Sequence, residues 1–361
     1  MKERRVILSG GGTGGHLYPS LAVAKKLREM DPALRVMFIG SRRPIEKKIM
    51  SHDGTPFVPL PVEGIQGRGL RSVAALALLP FAFLKSMLIL LRFKPDLVIG
   101  CGGFSAGPVV VAASLCGIPT LLLEQNVYPG LTNRLLRRWA RKAVVSFENS
   151  LPFFKGKAVF LGNPVREEFS SLSPKPRTGK LSLLIFGGSQ GSRVINRAMV
   201  GALPLLREAK SMLAIVHQTG KADFDWVRES YKEQGFEEAT ISPYFFEMAS
   251  LFASADLVIC RAGATTIAEL VAAQKASLLI PFALAAEDHQ TKNARELERV
   301  GGAEVLPEKN LTPARLAERI LFYLEHQEKI TAMERNLAAL RTDRPAEKIA
   351  RLCFEMMEGK S

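Results

Sequence analysis

Short apolar runs alternate with segments of helical spacing along almost the whole chain, and this alternation restricts the possible folds more than any other feature. The runs fall into two series, the first at residues 6–8, 35–39, 97–99, 120–123, 143–146 and 159–161. The second series lies at residues 181–186, 212–217, 240–242, 257–260, 277–280 and 303–306. Strands that alternate with helices are typical of parallel, doubly wound sheets. The sequence therefore predicts an α/β protein with two Rossmann-like, doubly wound domains separated by a cleft.

The two series are separated by residues 162–180, GNPVREEFSSLSPKPRTGK, which are rich in proline, serine, glycine and charge. Such a composition is typical of a linker. Each half also begins with a strand, a glycine-rich loop and a helix, in VILSGGGTGGH and in LLIFGGSQGS. We predict one domain at residues 1–163, a second at residues 164–341, and a C-terminal helix at residues 342–361 that packs back on the first.

The net charge and the cysteines limit the kinds of partner and the redox compartment that are expected for this chain. The 361 residues carry a formal net charge of +14, which predicts an anionic partner such as nucleic acid, anionic lipid or a phosphorylated substrate. The four cysteines are scattered without a CxxC pair, so neither structural disulfides nor a zinc site is expected. The N-terminus is a poor signal peptide, because its apolar run gives way to glycines after a few residues.

Residues 70–96, LRSVAALALLPFAFLKSMLILLRFKPD, are far more apolar than the rest of the chain. The nearly uninterrupted apolar run at residues 73–91 is close in length to the roughly 20 residues of a membrane span, but Pro80 divides it and Lys85 would lie within the bilayer. On a helical wheel three basic residues fall within an arc of about 60°: Arg71, Lys85 and Arg92. This pattern favours a segment that lies on an anionic membrane surface. A core helix with a solvated stripe and a true span stay open as alternatives.

The first glycine loop contains Gly10, Gly12 and Gly15 in the spacing of the dinucleotide fingerprint. Glycines let a phosphate approach the N–H groups at the start of the following helix. The fingerprint also expects an acidic residue at the end of the second strand, where this chain has Arg42 and Arg43. An NADP-dependent oxidoreductase therefore stays open, with those arginines on the 2′-phosphate.

Two further loops, GGSQGS at residues 187–192 and CRAGATTIAEL at residues 260–270, also join an apolar strand to a helix. The second of these loops offers small residues and free N–H groups suited to a diphosphate. Glu269 follows one turn later and could accept both hydroxyls of a ribose, or could simply be a partner of the helix dipole. AEDHQTKNA, at residues 286–294, then supplies compact polar groups of the kind that read sugar hydroxyls. The second half thus favours a nucleotide-sugar site.

Seven stretches together resemble the bacterial peptidoglycan glycosyltransferases that transfer GlcNAc from UDP-GlcNAc to lipid I. They are GGTGGHLYPSLAVA, GCGGFSAGPVVVAA, EQNVYPGLTNRLL, GNPVR, GGSQGS, CRAGATTIAEL and EDHQTKNA, and they cover nearly the whole chain in the order of that family. The resemblance implies the glycosyltransferase B fold and an inverting, UDP-GlcNAc-dependent hexosyl transfer to the 4-hydroxyl of MurNAc, which gives lipid II. Another transferase of this fold with a different lipid or small-molecule acceptor is the alternative.

The same resemblance implies the partners and the location. The partners would be UDP-GlcNAc, lipid I, the anionic cytoplasmic surface of the bacterial cell membrane and other cell-wall synthesis proteins, with no nucleic acid. The protein would be peripheral at that membrane face. UDP-GlcNAc is a substrate, and neither a cofactor nor a metal is expected. The DFD stretch at residues 223–225 imitates a metal-binding motif, but acidic residues are common at a helix start.

Residue by residue, the resemblance implies a donor site in the second half and an acceptor site in the first. The loop around Ser189, with Thr265 and Thr266, would meet the diphosphate, Glu269 the ribose, and residues 289–293 the sugar. The donor site would comprise Arg166, Ser189, Gln190, Phe245, Arg261, Ala264, Thr265, Thr266, Glu269, His289, Gln290 and Asn293. The acceptor site would comprise Thr13, Gly14, Gly15, His16, Gly102, Gly103 and Asn126.

The transfer needs a base that accepts the proton of the attacking hydroxyl. His16 is the first candidate, because histidine ordinarily titrates near neutrality. A histidine that closes a glycine turn could instead cap the helix or bind the acceptor's phosphate. Glu124, near Asn126, is the alternative base.

Overall fold

The computed structural model describes residues 3–11, 14–62, 77–172 and 179–359. The chain divides into two compact units. The first unit comprises Met1–Arg166 together with Thr342–Ser361, and the second comprises Glu167–Arg341. The chain thus passes to the second unit inside the stretch that its composition marks as a linker, and returns for its last helix.

The first unit is built on a parallel sheet, which has seven strands within the described residues, in the order β3-β2-β1-β4-β5-β6-β7. The strands are β1 Arg5–Ser9, β2 Arg35–Gly40, β3 Phe57–Pro59, β4 Leu97–Gly100, β5 Thr120–Glu124, β6 Lys142–Val145 and β7 Ala158–Phe160. The helices between them are α1 Gly14–Met30, α2 Pro44–Asp53, α3 Leu79–Phe93, α4 Ala106–Leu115 and α5 Leu131–Leu136, followed by a 3-10 helix at Glu148–Phe154.

The second unit repeats the plan with six parallel strands in its described part, in the order β10-β9-β8-β11-β12-β13. The strands are β8 Leu181–Phe186, β9 Leu213–Gln218, β10 Thr240–Ser242, β11 Leu257–Cys260, β12 Ser277–Leu279 and β13 Glu304–Val305. Its α-helices are α6 Glu167–Ser170, α7 Arg193–Ala202, α8 Phe224–Glu233, α9 Met248–Ser254, α10 Ala264–Ala273, α11 His289–Arg299, α12 Pro313–Glu325 and α13 Gln327–Leu340. Short 3-10 helices lie at Leu203–Leu206, Lys210–Met212, Ala286–Asp288 and Glu308–Asn310, and α14, Pro345–Met357, belongs to the first unit.

The central strands are buried on both faces, which explains why they read as continuous apolar runs rather than alternating ones. Leu8 of β1 packs in one core with residues of α1 and α14, while its neighbour Ile7 packs in a second core with residues of α4. Helices therefore cover both faces of the first sheet. The predicted pair of doubly wound α/β sheets is confirmed.

One strand, β3, has no counterpart among the apolar runs recognised in the sequence. β3 is three residues long, lies at the edge of the first sheet and pairs only with β2 among the described strands. It ends in Pro59, which lacks an N–H to donate and is tolerated at an edge. So short a run, interrupted by proline, carries too little periodicity to be recognised.

The strand order determines where ligands bind. In each sheet the connections reverse direction beside the first strand of the unit, between β1 and β4 and between β8 and β11. Open parallel sheets bind ligands at such a reversal, at the carboxyl ends of the strands. The glycine loops follow these four strand ends.

Candidate functional site

The first glycine loop packs directly against the loop that follows β4. Gly103 has φ +77°, and a Cβ at this position would collide with the carbonyl group of Gly11. A Cβ on Gly10 would lie 2.9 Å from the Cβ of Cys101. The two loops approach so closely that only glycines fit. Of the predicted acceptor residues here, Thr13 lies outside the described residues, and Gly14 begins α1.

His16 lies in the first turn of α1 and joins this pair of loops to a third. Its half-buried ring packs on Gly102, where a Cβ would lie 2.9 Å from both Cε1 and Nδ1. Nδ1 of His16 is 3.0 Å from Oε1 of Gln125, the residue that follows β5. The structure thus brings His16, Gly102 and Gly103 together at the reversal point of the first sheet.

Glu124 is engaged as a hydrogen-bond acceptor for its own loop. It is 2 % exposed, and its Oε1 accepts from N and Nδ2 of Asn126 at 2.9 and 3.2 Å. Its Oε2 accepts from N of Gly130 at 3.1 Å and from Nδ2 of Asn133 at 2.9 Å. Four donors fill the lone-pair positions of one carboxylate. This arrangement orders residues 126–130 and makes Glu124 a poorer candidate than His16 for proton acceptance.

A buried carboxylate at the end of β2 bears on the oxidoreductase alternative. Glu46 of α2 is fully buried and accepts hydrogen bonds from N and Oγ of Ser41 at 2.7 and 2.6 Å. Its carboxylate lies against the first glycine loop, where a Cβ on Gly11 would be 2.6 Å from Oε2. Arg42 and Arg43 are exposed. The acidic side chain near this strand end is therefore buried and bonded to Ser41 rather than presented to a ribose, so the dinucleotide fingerprint is not completed here.

The second glycine loop follows β8 and ends at the N-cap of α7. Gly191 has φ +76°, and a Cβ there would collide with the carbonyl group of Thr219. Ser189 and Gln190 are exposed at the tip, and Ser192 accepts from N of Ile195. The loop therefore exposes Ser189 and Gln190, two residues predicted to bind the donor, on a backbone that packs against Thr219, the residue after β9.

Gln218 connects this loop to the segment around Phe245. The amide is 3 % exposed, donates from Nε2 to the carbonyl oxygen of Gly188 at 3.0 Å, and accepts from N of Phe245 at 2.8 Å. Phe245 is half-buried and takes part in this contact through its backbone. Gln218 could not be identified as a site residue from the sequence, because nothing near it in the chain indicates a partner 30 residues away.

The third loop leads into α10, whose N-cap is Gly263. Ala264, Thr265, Thr266 and Glu269 are half-buried. Burial raises the pKa of the Cys260 thiol at the end of β11, and the charge of Glu269 raises it further. The carboxylate therefore lies close to this strand end. Because Glu269 is in the second turn of α10, the helix dipole gives it little stabilisation.

Arg261 holds three loops of the second unit together. The buried guanidinium donates from Nη1 to the carbonyl oxygens of Ile280 and Pro281 at 3.1 and 3.2 Å. Nη2 donates to Oγ of Ser192 at 2.8 Å and to Oε1 of Glu308 at 2.5 Å. With these partners Arg261 braces the second glycine loop from within the protein. Glu308, far along the chain, could not be identified from sequence.

The segment that follows β12 supports the third loop from its other side. Oε1 of Gln290 accepts from N of Ala262 at 3.2 Å and from N of Phe282 at 3.0 Å. Nδ2 of Asn293, which is fully buried, donates to the carbonyl oxygen of Ala262 at 3.4 Å. These two predicted sugar-reading residues thus lie beside the predicted diphosphate loop.

His289 begins α11 directly after a strained pair of residues. Glu287 and Asp288 both have left-handed backbone conformations, with φ 53° and 54°. Non-glycine residues rarely adopt this conformation, and such strain concentrates at ligand sites. The half-buried His289 is held at this turn.

Arg166, another residue predicted for the donor site, is the last residue of the first unit. Its guanidinium lies 5.9 Å from the ring centroid of Tyr18.

Asp223, the first residue of the DFD stretch, belongs to a buried polar network, whereas Asp225 is exposed. Oδ1 of Asp223 accepts from Nε of Arg193 at 3.0 Å, and its Oδ2 accepts from Nδ2 of Asn196 at 2.9 Å. Asn196 is in turn 3.1 Å from Nε2 of His217, whose pKa burial lowers to about 3. Within the part of the chain that the structure describes, no group of three or more His, Cys, Asp or Glu side chains could hold a metal ion.

Helix α3 buries one face and exposes an apolar stripe on the other. The buried face consists of Ala82, Ser86 and Leu90. The exposed stripe, at 67, 61, 49 and 60 % exposure, consists of Phe81, Leu84, Leu88 and Leu91. Pro80 lies in the first turn and leaves the helix intact.

The basic residues predicted for this segment are placed only in part. Nζ of Lys85 donates to the carbonyl oxygen of Pro59 at 2.7 Å, and Arg92 is exposed in the last turn of α3. Arg71 lies outside the described residues. Among the helices that the structure describes, none is both long and apolar enough to cross a membrane.

Two doubly wound sheets with glycine loops at both reversal points form the fold of the B-class glycosyltransferases. The calicheamicin glycosyltransferase CalG4 shares this fold, with a TM-score of 0.70, 16 % identity and coverage of 99 % of each chain. Residues 6–145 match the N-terminal domain of glycosyltransferase family 28, and residues 182–349 match its C-terminal domain.

Full-length relatives identify the family. The UDP-N-acetylglucosamine–N-acetylmuramyl-(pentapeptide) pyrophosphoryl-undecaprenol N-acetylglucosamine transferase of Syntrophus aciditrophicus is 46 % identical over 98 % of this chain and 99 % of its own. The crystal structure of Acinetobacter baumannii MurG has a TM-score of 0.78 and 29 % identity, covering 98 % of this chain and 99 % of that one. The chain belongs to the MurG family of N-acetylglucosamine transferases. The resemblance seen in the sequence is confirmed.

Proposed function

We propose that this chain transfers GlcNAc from UDP-GlcNAc to the 4-hydroxyl of MurNAc in lipid I, with inversion, to form lipid II. The observation that carries the proposal is the 46 % identity over 98 % of the chain to a transferase whose name states this donor and acceptor. The glycine loops at the reversal points of both sheets are compatible with two diphosphate-bearing substrates. The burial of Glu46 and its hydrogen bonds to Ser41 leave the dinucleotide fingerprint incomplete, which counts against the oxidoreductase alternative.

The second unit is the donor half in this proposal. The N–H groups at the start of α10 lie at the positive end of a ten-residue helix and would stabilise the diphosphate as it leaves. Glu269 would accept hydrogen bonds from the ribose hydroxyls, and His289 would contact the sugar. Arg261 would act indirectly, since its guanidinium braces the second glycine loop through Ser192.

The first unit is the acceptor half. The N-terminus of α1 and the glycines around it would hold the diphosphate of the lipid-linked acceptor. His16, in the first turn of the same helix, would accept the proton of the attacking hydroxyl. Asn126 would contact the acceptor from the loop that Glu124 orders.

Purified protein incubated with UDP-GlcNAc and a lipid I analogue should yield the disaccharide lipid with a β linkage. UDP-GalNAc and UDP-glucose should support the reaction poorly, and lipid acceptors without the MurNAc 4-hydroxyl should not react. Mass spectrometry and NMR of the product give both the composition and the anomeric configuration. Absence of the disaccharide, together with transfer to an unrelated lipid or small molecule, would favour the other transferases of this fold.

We propose further that the exposed stripe of α3 lies on the anionic cytoplasmic face of the cell membrane. Four large apolar side chains on one face of this helix are exposed among the described residues. The exposed Arg92 ends the same helix, and the chain carries a net charge of +14. Apolar burial combined with basic charge is the usual basis of interfacial membrane binding.

Replacing Arg71, Lys85 and Arg92 together with glutamine should weaken binding to vesicles that contain anionic lipid. Each basic residue near such a surface contributes about 1 kcal/mol, so we expect roughly a 100-fold loss in partitioning. Leu84→Gln with Leu88→Gln should weaken binding to neutral and anionic vesicles alike.

The matched control for this measurement is Leu205→Gln with Met212→Gln, two exposed apolar residues of the second unit. This pair should bind vesicles as the unmodified chain does. Undiminished binding of both α3 variants in a sedimentation assay would show that the stripe does not face lipid.

A further inference from the structure

A buried amide beside the first glycine loop is not accounted for by the roles assigned so far. Gln125 directly follows β5, is 2 % exposed and places Oε1 3.0 Å from Nδ1 of His16. Its Nε2 is buried and has no hydrogen-bond partner among residues 3–11, 14–62, 77–172 and 179–359. An unpaired buried donor is costly and uncommon in folded proteins. The amide is therefore held here at the expense of its own hydrogen bonding.

The contact between Gln125 and His16 specifies where the imidazole carries its proton. An amide oxygen can only accept, so the ring nitrogen 3.0 Å away must donate. In a neutral imidazole one nitrogen donates and the other bears the lone pair, and the hydrogen bond of one nitrogen selects the tautomer. A proton on Nδ1 leaves the lone pair on Nε2. The same edge of the ring packs against Gly102, where a Cβ would lie 2.9 Å from both Nδ1 and Cε1.

We propose that Gln125 is a positioning residue that holds His16 in the Nδ1–H tautomer and thereby makes Nε2 the proton acceptor of the transfer. The inference rests on the proposed function. The hydroxyl O–H bond breaks as its oxygen bonds to the anomeric carbon, the bond from that carbon to the diphosphate breaks, and UDP leaves with the electron pair. The proton passes to Nε2, and the imidazolium that results releases it to solvent.

A neutral partner suits this role better than an anionic one. A carboxylate at the position of Gln125 would stabilise the imidazolium and keep the ring protonated, whereas an amide selects the tautomer without adding charge. Because its oxygen accepts from His16, the amide of Gln125 has its own Nε2 left as a donor. An oxygen of the bound acceptor would be a chemically suitable partner for this Nε2.

The test is the tautomer of His16 in the full chain, measured by 15N NMR of protein labelled on histidine. The His16 signal is identified by its loss in His16→Asn, and the buried His217 is an internal control. Unmodified protein above neutral pH should show Nδ1 protonated. Gln125→Met, an apolar residue of similar length, should shift the ring to the Nε2–H form that free imidazole prefers, whereas Gln125→Glu should retain Nδ1–H.

The same variants are then assayed for transfer. Gln125→Met should lower kcat about 100-fold with KM values changed by less than about threefold, and Gln125→Glu should keep kcat within about tenfold. Nε2–H in the unmodified protein, or an unchanged tautomer in Gln125→Met, would overturn the inference. So would a tautomer change that leaves kcat unaltered. Because the NMR measurement needs no substrate, a failure of the lipid I reaction by itself leaves that result standing.

Discussion

His16→Asn should lower kcat by about 10²- to 10⁴-fold, the range that loss of a general base produces. Asparagine places an N–H close to the position of Nδ1, so the hydrogen bond to Gln125 can persist while Nε2 disappears. The local packing against Gly102 is therefore disturbed little. The measurement is steady-state transfer with a lipid I analogue, with kcat and both KM values determined separately.

A second variant separates the base from a binding role. His16→Gln carries a donor near the position of Nε2 but cannot accept a proton there, so it should be as inactive as His16→Asn. UDP affinity should stay within about twofold in both, because all the proposed donor residues except Arg166 belong to the second unit. If instead kcat is kept and only the KM for the acceptor rises, His16 binds the acceptor and the base is another group.

Glu269→Ala should weaken UDP binding roughly 10- to 100-fold, since hydrogen bonds to a charged group contribute about 1.5–3 kcal/mol. Glu269 lies in the second turn of α10, the helix that follows β11 at the reversal point of the second sheet, where a nucleotide is expected. Isothermal titration calorimetry with UDP gives the affinity directly and needs no acceptor.

A ligand control isolates the ribose contact from any effect on folding. Against 2′,3′-dideoxy-UDP, Glu269→Ala and the unmodified chain should bind alike, because the hydroxyls that the carboxylate would accept are absent. Glu269→Gln, which retains one amide oxygen, should fall between the two for UDP itself. An equal loss of affinity for both ligands would mean that Glu269 supports the helix and not the ribose.

The architecture was largely predictable because a buried parallel strand carries its signal within a few adjacent residues. Runs such as residues 183–186 and 257–260 are apolar throughout, since helices cover both faces of the sheet. β3 was missed because an edge strand of three residues that ends in Pro59 has no such signal. Pro80 divides an apolar run in the sequence, but in the structure it lies in the first turn of α3, where proline is tolerated.

The site was predictable only where its residues belong to continuous loops. The glycine loops are recognisable in the sequence, because close backbone approach and positive φ angles require glycine at positions such as Gly103 and Gly191. The buried Gln125 and Gln218 and the half-buried Glu308 have partners that lie 109, 30 and 47 positions away. No local pattern reveals such pairs, because their hydrogen bonds exist only once separate strand ends meet.

The sequence by itself determined the class of fold, the family and the loops at which ligands would bind, because each of these depends on residues that are neighbours in the chain. The tertiary structure decided what individual polar groups do. It showed Arg261 bracing a loop from within the protein, Glu124 surrounded by four donors, and the imidazole of His16 paired with an amide. The reason is physical: burial favours a partner for most polar groups, and which partner each one finds depends on the packing of distant segments.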